Sequence, residues 1–368
     1  MRYPNIAKMR FTLSVSPALS RFNLSVLLHD EMVERLRRIG PRIHDINFTC
    51  HIAPFMIDAH GVTVGDSENT LHLRQMVQLQ EQTGIRVTPV FNNIYVPNTR
   101  RNLELFVEGF KPLYEMGIRS VSIPHILWLK IGLLQRTFPD VGIKNTVLRK
   151  VHSGQEFWNC AEAGYEYVNL DQSIARDLRV LKEVAQAQTR FHELTGRHVV
   201  TSIITGEGCF GACALRDEHY LHTMGHHQTG DAGSNIEIFR YPQSFSCLAT
   251  TEPDLLSPMH LGLPPFRDDL EETCAYFDVI KLAGRRAFQS LADCIASVET
   301  LVDGDGPFAF DPPDLIQYAF SHAEQHGGAL ARWRQMVREC RYQCWDCTAC
   351  SDLVAAYMLR GGERIQAG

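Results

Sequence analysis

Short apolar, often β-branched runs alternate with longer stretches of helical period along most of this chain, and that alternation constrains its fold more than any other feature. Strands are expected at Phe22 to Leu28, His44 to Phe48, Arg86 to Phe91, Ser120 to Ile123, Gly142 to Val147, Tyr167 to Leu170, His198 to Ile204 and Asp278 to Leu282. Between them lie helical patterns such as "DEMVERLRRIG", "RNLELFVEGFKPLYEMG" and "DLRVLKEVAQAQTRFHELTG", several ending in a glycine that leads directly into the next strand, as helix C-caps do. Eight such alternations predict an α/β fold of the parallel (β/α)8 TIM-barrel type; a doubly wound open sheet is the alternative. The stretch from Gly208 to Asp278 is too long for an ordinary connection, which marks residues 206–277 as a functional insertion after strand seven. The division expected is a barrel over residues 1–290, insertion included, followed by a helical, cysteine-rich C-terminal extension over 291–368.

Composition narrows the function classes. With 368 residues, 45% of them hydrophobic, the chain can bury a large core. Its net charge of −6, with no long Lys/Arg block, lacks the footprint of a phosphate-backbone binder, so nucleic acid is not an expected partner. No uncharged apolar run reaches the length of a membrane span, and the first residues lack the apolar stretch of a signal peptide. A cytoplasmic protein is expected.

In that compartment the eleven cysteines are expected to stay reduced. Cys50, Cys160, Cys274 and Cys294 are scattered and read as small buried apolar residues. The others gather. Cys209 and Cys213 stand four apart in "GCFGACALRDEH", and "CRYQCWDCTAC" carries Cys340, Cys344, Cys347 and Cys350 at intervals of four, three and three. Dense thiolates at such spacing suit an iron–sulfur cluster, with a structural zinc site as the competing reading. The Cys340, Cys344, Cys347 spacing also matches the radical S-adenosylmethionine signature, but that motif belongs in the first loop of a barrel and here follows the last strand.

In a barrel, function sits on the loops after the C-terminal ends of the strands. Those positions hold Cys50 and His51, Asn92 and Asn93, Pro124 and His125, Asn145 and Thr146, Asp171, then Glu207 with Cys209 and Cys213, and finally Gly284 and Arg285. Taken singly, an Asn or Asp after a strand is more often a turn former or helix cap. Together these groups converge on one mouth. His219, His125 and Asp171 are the candidate acid/base groups, and Arg285 is an anion anchor suited to a carboxylate. Asn92, Asn93, Lys281 and Arg285 are the candidates for holding a cofactor or substrate. The histidine-rich "HYLHTMGHHQ" reads as a solvated loop rather than a second metal site.

Several of these stretches resemble a known family. "VTPVFNNIYVP", "EMGIRSVSIPH", "FPDVGIKNTV", "AGYEYVNLDQSIARDL" and "DVIKLAGR" are similar to the barrel of the collagenase-like peptidase family U-32. "GEGCFGACALRDEHYLH" and the tail "CWDCTAC" are similar to a divergent, cysteine-rich branch of it. The resemblance implies a barrel with one or two [4Fe–4S] clusters, for which Cys209, Cys213 and Cys247 match one ligand group and Cys340, Cys344, Cys347 and Cys350 the other. It also implies O2-independent hydroxylation chemistry, on quinone precursors or RNA bases among better-understood relatives. Two departures stand out: the family's "SGRC" element is absent, and His125 stands where relatives often carry Asp.

The expectation is therefore an iron–sulfur barrel enzyme acting on a small anionic metabolite in redox or hydroxylation chemistry. An accessory protein that passes electrons to a protein partner is the alternative; base hydroxylation on tRNA or rRNA and peptidase activity rank lower. Neither a G-x-S-x-G elbow nor H-E-x-x-H occurs in the sequence.

Overall fold

Eight parallel strands close into a barrel in sequence order, with β8 pairing back onto β1 from Arg10–Val279 to Leu13–Leu282. The strands are β1 Arg10–Val15, β2 Ile43–Thr49, β3 Val87–Val90, β4 Ser120–Ser122, β5 Gly142–Lys144, β6 Tyr167–Asn169, β7 Val200–Thr205 and β8 Val279–Leu282. The structure, a computed structural model, describes residues 3–15, 29–52, 66–94, 96–205, 263–264, 266–282, 291–303, 323–338, 340, 346–350 and 352–353. Seven of the strands lie where the alternation places them. The first does not: β1 is Arg10–Val15, not Phe22 to Leu28, and residues 22–28 lie outside the described residues. The reason is its pattern. Phe11, Leu13 and Val15 alternate with Thr12 and Ser14, and Phe22, Leu24 and Val26 alternate with Asn23 and Ser25, so the same period-two signal occurs twice and local pattern does not choose between them.

Helices run outside the barrel: α1 Asp30–Ile39, α2 Asp66–Thr83, α3 Arg100–Glu115, α4 Ile126–Ile131, α5 Leu133–Thr137, α6 Gly154–Ala163, α7 Leu178–Thr195, α8 Arg267–Thr273, α9 Leu291–Asp303 and α10 Ala323–Val337. Their starts and stops are written locally. Ser153 caps α6 by accepting a hydrogen bond from Glu156 N at 3.2 Å, and the Glu156 carboxylate accepts from His152 N at 2.8 Å, a near-reciprocal capping box. The helix ends at Gly164, whose φ of 112° a residue with a Cβ adopts only under strain.

Because alternate strand residues face opposite sides, each strand feeds two environments. Outward-facing apolar residues meet the helices; Phe48 of β2, for example, packs edge-on against His72 of α2. On another side of the ring, Phe106 and Phe110 of α3 pack with Phe91, Trp128 and Phe138 at centroid distances of 5.1 to 6.1 Å. Burying each such ring contributes about 1.5–3 kcal/mol of transfer free energy. Helix α9 packs on α1 and β1, and its Glu299 pairs with Arg35 of α1 at 2.8 Å. Helix α10 docks on α8, where Arg334 donates to both carboxylate oxygens of the buried Asp269 at 2.8 and 3.1 Å.

Candidate functional site

The barrel interior is polar where aliphatic layers are usual. Thr12, Asp45, Asn47, Thr88, Ser120, Ser122, Lys144, Asn169 and Ser202 are all buried strand residues. At their centre Lys144 of β5 lies 2.5 Å from Asp45 of β2, both side chains sealed from solvent. Two hydroxyls complete the carboxylate's shell, Thr12 Oγ1 donating to Oδ1 at 2.6 Å and Thr88 Oγ1 to Oδ2 at 2.5 Å. The Tyr167 hydroxyl is 3.0 Å from Thr12 Oγ1, and the Lys144 ammonium sits 3.8 Å from the centre of the Tyr167 ring.

Strand register extends the group. Thr12 pairs with Asp45 on one side and with Lys281 of β8 on the other, which puts a lysine, a hydroxyl and a carboxylate in one row across three strands. Asn47 joins them, its amide oriented to donate to Asp45 Oδ2 and to accept from Lys281 Nζ, both at 3.2 Å. Burial alone would raise the Asp45 carboxyl, but the Lys144 charge beside it and the hydrogen bonds from Lys144 and Thr12 outweigh that and hold it below the usual carboxylate range. Burial lowers Lys144 from its ordinary value while Asp45 opposes the shift. The two effects pull against each other at Lys144, whereas at Asp45 they resolve in favour of the carboxylate. Sequence reasoning found Lys281 here and missed Asp45, Asn47, Lys144 and Tyr167. The signal was present in "IHDIN", "GIKN" and "VIKL", where charged or amide side chains interrupt strand runs that need apolar residues on only one face.

At the C-terminal mouth the structure gathers some of the expected groups and assigns several to architecture. His125 and Asn93 come together: the buried His125 ring bonds to the Asn93 backbone and stacks at a tilt on Trp128, 4.3 Å between centroids. Burial lowers this imidazole to about 4, so it is neutral at pH 7. The cavity between them is only about 10 Å³, too small for a substrate. Asp171, fully buried, caps the turn Gln172–Ile174 by accepting from Ser173 N at 2.9 Å. Asn145 and Asn169 are bound to each other's backbone, which splints β5 to β6. Asn92 stands two residues beyond the end of β3. His219 and Arg285 lie outside the described residues.

The cysteines divide as their spacing suggests, as far as the described residues reach. Cys50, Cys160, Cys274 and Cys294 are buried, and burial pushes their thiols up, to about 12, 11 and 12 for Cys50, Cys160 and Cys294, and well above the ordinary value for Cys274. Such thiols are packing residues. Cys347 is exposed and Cys340 and Cys350 are partly so, and Cys350 Sγ accepts a hydrogen bond from Trp333 Nε1 at 3.3 Å. Among the described residues no three His, Cys, Asp or Glu side chains are grouped to hold a metal ion; Cys209, Cys213, Cys247 and Cys344 lie outside them. No described helix is long and apolar enough to cross a membrane.

No protein-family profile and no curated protein sequence matches the chain. Solved structures align with parts of it at low identity. A U32 peptidase aligns with a TM-score of 0.46 and 12% identity over 75% of this chain and 93% of its own. A mandelate racemase/muconate lactonizing protein from Paracoccus denitrificans aligns at 0.36 and 11% over 59% and 52%. A deoxyribose phosphate aldolase from Aeropyrum pernix aligns at 0.32 and 12% over 55% and 78%. Likeness at this level is one of barrel fold and assigns no chemistry.

Proposed function

We propose that this protein is a barrel enzyme that acts on a small anionic substrate with the aid of an iron–sulfur cluster. The observation that supports the reading most is the polar barrel interior, the close contact of Lys144 with Asp45 and the neighbouring Lys281 and Asn47. A buried ion pair contributes little to stability against its desolvation cost, so well-packed apolar residues would hold the barrel together as well or better. Charges kept there serve a substrate. Lys281 and Lys144 offer nitrogen donors to a carboxylate or phosphate, and Asp45 fixes the position of the Lys144 side chain.

The cysteine spacing supports the cofactor. Cys340, Cys344, Cys347 and Cys350 would hold one cluster and Cys209, Cys213 and Cys247 a second; bound, such clusters supply electrons or an open iron site. The test is anaerobic purification followed by iron and sulfide analysis, then a thermal-shift screen of small carboxylic and phosphorylated acids on the wild type and on Lys281→Met. Iron and sulfide together, with a stabilising acid whose effect Lys281→Met removes, supports the reading. Stoichiometric zinc without sulfide rejects the cluster, and acids that act equally on both proteins reject the site.

A further inference from the structure

A cavity that reaches the barrel interior at Lys144 opens at the opposite end, the N-terminal mouth, and its other lining residues play no part in the reading above. Its volume is about 340 Å³, within the range of small-molecule sites. Arg86, Arg197, Lys144, His44 and His198 line it, against one carboxylate, Glu166. Two details of the backbone create this space. The register of β1 on β2 jumps from Phe11–Ile43 to Thr12–Asp45, so His44 is an extra residue, a bulge that re-aims its side chain to the mouth. Its ring leans on Tyr167 at 4.9 Å. On the opposite wall β5 begins with Gly142, and a Cβ there would stand 3.1 Å from Glu166 Oε2 and 3.5 Å from Arg86 Nη1. The missing side chain leaves room between those two groups.

Among the described residues Arg86, Arg197 and Glu166 take part in no ion pair, and Arg10 adds a further positive charge near His44 and His198. The acidic groups below the cavity are otherwise occupied: Asp278 accepts from Thr201 N at 2.8 Å and from Gln188 Nε2 at 2.6 Å and faces His198. Guanidinium groups without an ion-pair partner around a concave space that Lys144 also lines match a compact anion of more than one charge. We propose that the N-terminal mouth binds a phosphate group, free or carried on a small ester, with Arg86 and Arg197 as its main contacts. Guanidinium forks suit the oxygens of a phosphate bidentately, and a dianion uses two such forks where a monocarboxylate uses one.

The experiment reads binding, not turnover, so it stands apart from the enzyme reading. Inorganic phosphate and glycerol 3-phosphate are titrated calorimetrically into the folded protein at constant ionic strength, with chloride as the balancing anion. Wild type binds at least one of them; preference for the ester identifies a phosphorylated metabolite, and preference for phosphate the free ion. Arg86→Ala weakens binding about tenfold, equivalent to about 1.4 kcal/mol. Glu166→Gln strengthens it, because the substitution removes the one opposing charge, and Gly142→Val abolishes it by filling the space. Circular dichroism melts identify any variant that fails to fold, and Glu166→Gln, an isosteric change at an exposed side chain, still decides the matter if the others do. Absence of binding to wild type, or equal affinity in wild type and Glu166→Gln, overturns the proposal.

Discussion

Lys144 and Asp45 are bound to each other so closely that neither can be altered alone without leaving its partner charged and buried. The Lys144→Met variant is therefore expected to lose about 3–5 kcal/mol of stability, read as a fall in the urea midpoint. Loss of less than about 1 kcal/mol would mean that water reaches Asp45 and that the interior is not sealed. Lys281 differs in that it meets the group through the Asn47 amide, so a Lys281→Met variant should melt closer to wild type. At this scale the sequence was partly legible. Lys281 is visible as a charge near the end of a strand, whereas Asp45 and Lys144 sit 99 residues apart and become a site only when the barrel curls β5 round to face β2. Asp171 and Asn145 show a second limit of the sequence. They are polar residues at strand ends, as a catalytic group would be, but their side chains are engaged by nearby backbone. Cap and catalyst share residue types, and only the hydrogen-bond partners separate them.

Helices were the most legible elements, because their caps are local. The S-x-x-E sequence of Ser153 to Glu156 and the glycine at 164 mark α6 without any tertiary information. Ser153→Ala is expected to cost about 1 kcal/mol through the lost cap, measured by thermal melts; an unchanged melting temperature would show that Glu156 alone suffices to hold the first turn. Strand β1 was not legible, because its six-residue alternation is matched by a second one, Phe22 to Leu28, a few residues further on. The bulge at His44 could not be foreseen either, since register is a property of two strands and not of one. It explains why two consecutive residues, His44 and Asp45, both serve the barrel interior, one at the mouth and one within.

For the whole molecule, the half-buried His44 and the buried His72 and His125 decide much of the response to acid. Burial lowers each to about 4 from an ordinary value near 6.5. Above pH 6.5 they are neutral in both folded and unfolded chains and contribute nothing to the balance. Between pH 6.5 and 4 the unfolded chain takes up protons that the folded one refuses, so stability falls across that window by up to about 3 kcal/mol for each histidine. His198, raised by its bond to Asp278, acts in the opposite sense, with stability fully present below 6.5 and lost as pH rises through its folded value; at half exposure it offsets little. Asp45 and Asp278 are depressed, so their contribution disappears only at lower pH, beneath the histidine window. Urea midpoints should therefore drop between pH 6.5 and 4.5, and a flat profile there would mean that the histidines are hydrated. The barrel as a whole was legible because eight repeats of one unit leave little other choice, while its polar lining was not, because no single strand reveals which face turns inward. That lining is the centre of the functional account, and it is tested most directly by replacing the pair together. The Asp45→Leu, Lys144→Met double variant should melt at or above the wild-type temperature, since apolar residues of similar volume replace a buried ion pair without penalty, yet lose the stabilisation by acidic ligands that the wild type shows. A double variant that melts well below wild type, or that keeps its response to those ligands, would assign the charges to the architecture of the barrel and contradict a role in binding substrate.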